Sequence, residues 1–303
     1  MKLDKNSQRI AALAVATVFT LLATAQSSNA SSIQLIGLDN NNNLFLFDSN
    51  NSSQTQTRSV TGITGNLLGI DFRPADNQLY GLTDTSNIYT INTATGAATF
   101  VSSLSTAFTS GFESGIDFNP VPDRLRIVGS NNQNLRVDVA TGATTVDGTL
   151  AYGTGDVNVG VEPNLTAAAY TNSFSPSPAP NRTTELFGID FGLDILVQQN
   201  PPNAGTLNTV GSLGVDFGST GGFDILSTQK GNNITNMAFA ASGSSLYTIN
   251  LSTGAATTVG TIGNGNVTIV GLAARTVPEP STIGALLGFL TFGVMTRFRR
   301  RLK

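Results

Sequence analysis

Between residues 33 and 274 the chain alternates apolar and polar positions in short runs, and no stretch keeps a helical period long enough to compete. The runs are rich in β-branched and aromatic residues and are bounded by clusters of Asn, Asp, Gly and Ser. That is the pattern of half-buried strands joined by tight turns. The runs also repeat. Leu79-Tyr80-Gly81-Leu82-Thr83, then Ile88-Tyr89-Thr90-Ile91 and a Thr95-Gly96 pair, recurs 46 residues on as Leu125-Arg126-Ile127-Val128 and Leu135-Arg136-Val137, ending in Thr141-Gly142. Shifts of 107 and 158 residues give Leu186-Phe187-Gly188-Ile189 and Met237-Ala238-Phe239-Ala240. A backward shift of 44 gives Gln34-Leu35-Ile36-Gly37-Leu38, which makes five copies. The Thr-Gly pairs stand where a hairpin needs positive φ.

Upstream of two copies lies a further strand, Gly69-Ile70-Asp71-Phe72 and Gly115-Ile116-Asp117-Phe118, with weaker versions at Ala167-Ala168-Ala169-Tyr170 and Gly214-Val215-Asp216-Phe217. Four strands in about 45 residues is the size of one β-propeller blade. The N-terminal copy lacks this upstream strand, and Thr268-Ile269-Val270-Gly271-Leu272-Ala273 supplies one from the other end. Pairing the two ends closes the ring and leaves no open edge. The sequence therefore predicts an all-β fold, a five-bladed β-propeller over residues 33–274 closed by its N- and C-terminal strands. Two stretches break the regularity. A proline-rich insertion, Ser173 to Thr184, falls between the first and second strands of one unit, and Gly218 to Asn233 reads as a second loop-rich stretch.

Both ends of the chain read as processing segments. Residues 1–25 combine Lys2, Lys5 and Arg9 with the apolar run Ile10 to Ala25, followed by small-residue cleavage sites, as in a secretory signal peptide. Residues 275–303 hold Pro278-Glu279-Pro280, the uncharged run Ile283 to Thr296, and a basic cluster of Arg297, Arg299, Arg300, Arg301 and Lys303. An apolar stop before a cationic cluster holds a chain end in a membrane with its tail in the cytoplasm. At 14 residues the run is short of the roughly 20 that span a bilayer core comfortably, so it suits a transient hold. These features resemble the PEP-CTERM sorting tail of exported bacterial proteins. The resemblance implies recognition and cleavage by an exosortase-type membrane transpeptidase, in bacteria that build exopolysaccharide matrices. The repeat units likewise resemble a family of bacterial exported proteins of unknown function, many with such tails. That likeness implies a propeller-like domain and no established activity.

Charge and composition narrow the function. The first 25 residues hold three basic residues and one acidic, and the tail from Val277 five and one. The middle keeps eight basic against seventeen acidic, a net of −9. Such a domain repels phosphate and is no nucleic-acid binder. The chain has no Cys and no His, which removes disulfides, thiolate and imidazole metal ligands, and the His-dependent triads.

Carboxylates remain. In an inner strand, alternation puts Asp71 opposite Ile70 and Phe72, and the same holds for Asp117. Asp71, Asp117 and Asp216 are thus candidates to converge on the axis, as structural hydrogen-bond acceptors or as ligands of a cation such as calcium. Asp71 and Asp117, with Glu113 or Glu162, are candidates for a two-carboxylate glycosidase. The run Asp39 to Asn43 lacks the Gly and Glu of a calcium-binding EF-hand loop and reads as a solvated turn. Tyr152 and Tyr170 stand out as the aromatics off the strand pattern.

The combined reading is an exported, non-enzymatic propeller of the cell surface or extracellular matrix. It has no cofactor unless calcium binds, and polysaccharide or a surface protein is its partner. A secreted glycosidase or lyase acting on matrix polysaccharide, and a calcium-dependent adhesion module, are the alternatives.

Overall fold

The computed structural model describes residues 31–278. The signal segment, Glu279, Pro280, the apolar run and the basic cluster lie outside the described residues. Among the described residues, no helix is long and apolar enough to cross a membrane. The described residues form twenty-one strands, grouped in five sheets, and one 3₁₀ turn, Pro202–Ala204.

The first blade combines β1 (Ser31–Asp39), β2 (Asn43–Asp48) and β3 (Asn51–Ser59) with the last described strand, β21 (Ile269–Pro278), in the order β21-β1-β2-β3. The second is β4 (Leu67–Phe72), β5 (Leu79–Thr83), β6 (Asn87–Ile91) and β7 (Ala98–Ser103). The third is β8 (Ser114–Asn119), β9 (Arg124–Gly129), β10 (Asn134–Val137) and β11 (Thr144–Val146). The fourth adds a short outer strand, β12 (Ala151–Tyr152), to β13 (Leu165–Tyr170), β14 (Leu186–Asp190), β15 (Ile195–Gln199) and β16 (Thr206–Ser212). The fifth is β17 (Gly221–Lys230), β18 (Asn233–Ser242), β19 (Ser245–Ile249) and β20 (Ala256–Thr261).

This is the expected five-bladed propeller, closed by its two ends: β21 supplies the inner strand that β1 to β3 lack. The Thr-Gly hairpins also form as read, with φ of 80° at Gly96, 74° at Gly142 and 82° at Gly254. At Gly96 the choice is doubly forced, because a Cβ would lie 2.2 Å from the Ser59 carbonyl oxygen of the neighbouring blade. The core is divided among the five blade-to-blade interfaces. Leu68, Tyr80, Phe118 and Leu125 fill the contact between the second and third blades. Ile36, Leu38, Leu67 and Val270 fill that between the first and second.

One blade departs from the reading. Gly218 to Asn233 is mostly not a loop: from Gly221 it forms β17 and the tip of a ten-by-ten-residue hairpin with β18. The inner strand of the fifth blade is therefore Gly222-Phe223-Asp224-Ile225, and the look-alike Gly214-Val215-Asp216-Phe217 is the connection before it. Hairpin closure decides this. Asp224 is followed after nine residues by the start of β18, whereas Asp216 would need a long excursion to reach it.

Candidate functional site

The five inner strands, β21, β4, β8, β13 and β17, all run in the same sense, and small residues let them crowd the axis. Gly69, Gly115, Ala167, Gly222 and Gly271 occupy equivalent positions. A Cβ on Gly115 would lie 2.3 Å from the backbone nitrogen of Ala168, and one on Gly222 2.3 Å from that of Leu272. These strands leave an axial void of about 10 Å³, room for about one water.

Two residues further along, the same inward face carries Asp71, Asp117, Ala169, Asp224 and Ala273. The three carboxylates are 5%, 2% and 6% exposed, and each offers an oxygen within 4.8 Å of the others. Here five strands present their inner edges, which have no further strand to pair with, so the backbone N–H groups must find other acceptors. Asp71 accepts from Phe118 of the next blade at 2.8 Å, and Asp224 accepts from Ala274 at 2.6 Å. The N–H groups of Phe72, Ile225 and Tyr170 also favour the charged forms of Asp71, Asp224 and Asp117. Five N–H groups thus face three carboxylates, two of them in hydrogen-bond geometry, and the two alanines fall where a neighbouring aspartate already serves. Asp117 receives the smallest share, because Asp71 takes the N–H of Phe118 that would otherwise be its second donor. Its Oδ1 is sealed from solvent with no hydrogen-bond partner.

Burial and mutual repulsion show in the proton affinities. Desolvation, then the charge of Asp224, holds Asp71 well above the usual carboxylate range. Desolvation followed by the charges of Asp71 and Asp224 does the same to Asp117. Desolvation pushes Asp224 up to about 6. Among the described residues none of the ion pairs reaches this cluster.

The remaining sequence candidates lie elsewhere. Asp216 sits on an exposed loop, and Asp224 holds the place expected for it. Glu113 precedes the start of β8 and accepts a hydrogen bond from the Ser130 hydroxyl at 2.7 Å. Four residues of strand, about 13 Å, separate it from Asp117. Glu162 is exposed and takes the side-chain amide of Asn132. Asp71 and Asp117 are together, but in a space too small for a sugar ring, and neither glutamate joins them. The Asp39 turn is held by its own carboxylate, which accepts from the backbone of Asn41 at 2.9 Å and of Asn43 at 2.7 Å. Tyr152 and Tyr170 are buried, so they present no stacking surface. Tyr170 in fact stands on β13 in the position of Phe118, and the Tyr152 hydroxyl donates to Asp190 at 2.6 Å.

Sequence reasoning missed two features. Arg126, 1% exposed, donates to Asn134 and Asp147, both at 2.6 Å, to Asn203 at 2.7 Å and to the Tyr170 hydroxyl at 3.3 Å. Arg136 adds two hydrogen bonds to Asp147 at 2.7 and 2.9 Å. This network ties the third blade to the fourth. The second feature is a groove of about 390 Å³ lined by Gln78, Thr90, Asn92, Thr99 and Arg275, with the Arg275 guanidinium 5.0 Å above the Phe72 ring. Elsewhere, the loop between β12 and β13 exposes Val157, Val159 and Val161.

The family described as "Domain of unknown function (DUF4394)" matches residues 43–273, and a PEP-CTERM protein-sorting motif matches residues 276–301. No curated protein matches the chain. Among solved structures it is similar to the computationally designed Ika8 protein, at 12% identity and a TM-score of 0.34, over 80% of this chain and 62% of that one. The chain therefore spans less than two thirds of that structure's length.

Proposed function

This chain belongs to the DUF4394 family and carries an exosortase-type sorting motif, and from that premise we propose that it is a surface or matrix protein that acts by binding and not by catalysis. The motif marks a protein exported to the cell envelope and recognised by an exosortase-type processing enzyme. Removal of the signal segment, a transient hold in the membrane through the tail, and release to the matrix complete the proposed route.

The observation that carries the binding reading is the groove over Arg275 and Phe72. Its volume is in the range of ligand sites, and its lining of amides, hydroxyls and one guanidinium is suited to hydrogen-bonding a polyhydroxylated chain. Against catalysis, Asp71 and Asp117 are shut inside the ring, and the other two candidates, Glu113 and Glu162, are engaged singly with Ser130 and Asn132.

The test is co-sedimentation of the purified chain with the host's own extracellular polysaccharide, with released reducing ends assayed in the same tube. Binding that weakens in a Gln78→Ala, Thr99→Ala double variant, without new reducing ends, supports the reading. Reducing ends that vanish in Asp71→Asn or Asp117→Asn make the protein a glycosidase. Neither binding nor cleavage turns attention to a protein partner at the exposed valines.

A further inference from the structure

We propose that Asp71, Asp117 and Asp224 hold one divalent cation of the calcium class on the propeller axis, cross-linking the second, third and fifth blades. The proposal stands apart from what the groove binds. Its first support is geometric. Three oxygens that all lie within 4.8 Å of one another have a common point no more than about 2.8 Å from each, and calcium–oxygen contacts are about 2.3–2.6 Å. A small inward movement of the carboxylates completes them. Magnesium demands about 2.0–2.1 Å with near-ideal octahedral geometry and usually keeps several waters. The adjoining void of about 10 Å³ holds about one, whereas calcium accepts bidentate carboxylates, so that three of them and one water reach the roughly 6–8 oxygens it usually takes.

The second support is the oxygen left over. Inner-edge N–H groups bond Asp71 and Asp224, yet the Oδ1 of Asp117 has no donor and no solvent. A buried anionic oxygen without a partner is costly. The other two carboxylates of the cluster offer oxygens within 4.8 Å, and either a shared proton or a bound cation offsets their repulsion; the cation is the one that joins all three. Oxygen-only ligation favours a hard cation. Carboxylate charge from three blades also makes binding depend on ring closure, because no two of the ligands share a strand.

The test uses the full chain purified in mild detergent. Metal content is measured as isolated, and thermal unfolding is followed after refolding in chelator, with calcium or magnesium added during refolding. The expected result is roughly one equivalent of calcium and a melting temperature that rises with calcium and stays flat with magnesium. In an Asp71→Asn, Asp117→Asn, Asp224→Asn triple variant the calcium response disappears, while melting in chelator matches or exceeds that of the parent. Should the triple variant not fold, Asp117→Asn alone gives the same reading as an affinity at least about tenfold weaker, since affinity follows ligand charge. No calcium response in the parent overturns the proposal. So does a response that survives in the variants, which would place the ion elsewhere.

Discussion

The Arg126 network and the axial carboxylates are both buried, both polar and both shared between neighbouring blades, yet they balance charge differently. Around Arg126 unlike groups meet: a carboxylate, two amide oxygens and a tyrosine hydroxyl accept from one guanidinium, and Arg136 takes the rest of Asp147. On the axis three like charges meet, five backbone N–H groups soften them, and one oxygen is left over. The first arrangement balances its charge within the chain, even though the neutral Gln199 Oε1 at its edge has no partner. The second does so only with protons or a cation added. Similar burial therefore implies opposite responses to the same substitution.

The largest effect is expected where that balance is broken. Asp147→Ala leaves Arg126 buried without its carboxylate, and such losses cost about 3–5 kcal/mol. Urea unfolding measures it, and a loss under about 1 kcal/mol would show that water replaces the carboxylate.

The two regions also differ in the sign of their pH dependence. Asp224 is raised when folded, from 3.8 to about 6, so its contribution is full below about pH 4 and is lost as pH rises through about 6. The change is about 3 kcal/mol, with Asp71 and Asp117 acting in the same direction. Burial alone would raise Asp147, but the hydrogen bonds from Arg136 and Arg126 outweigh it and lower it. Its contribution is therefore present at neutral pH and is lost only in stronger acid. In chelator, stability should fall from pH 4.5 to pH 7.5. A rise over that range would mean that the axial carboxylates are already compensated.

Smaller effects test the packing and the bystanders. Gly115→Ala forces a Cβ against the Ala167–Ala168 backbone, and overpacking of this kind costs about 1–3 kcal/mol. Glu113→Gln and Glu162→Gln should change unfolding free energy by less than about 0.5 kcal/mol and leave any polysaccharide binding intact.

Much of this was legible in the sequence, and the failures have physical causes. The blade count, the ring closure and two of the three axial aspartates follow from strand alternation and repeat spacing, because one face of each inner strand must meet the axis. Asp224 was missed because Phe223 and Ile225 reverse the apolar pair of Gly-Ile-Asp-Phe, while Val215-Asp216-Phe217 imitates it in a loop. The short hairpin distance from Asp224 to β18 was the available signal. Arg126 was unreadable, since it occupies the place of Tyr80 in its repeat and its partners Asp147, Tyr170 and Asn203 come from three separate segments. The sharing of five N–H groups among three carboxylates depends on how closely the inner strands approach, which no local pattern encodes.

The central claim, that one buried cluster balances its charge within the chain and the other does not, is tested most directly by urea unfolding of Asp117→Asn and Asp147→Asn side by side in chelator at pH 7.5. The account predicts that Asp147→Asn is strongly destabilised. Asp117→Asn should be at least as stable as the parent, because it removes a charge and gives the leftover position an amide to donate to Asp71 or Asp224. Equal destabilisation of the two variants would contradict it.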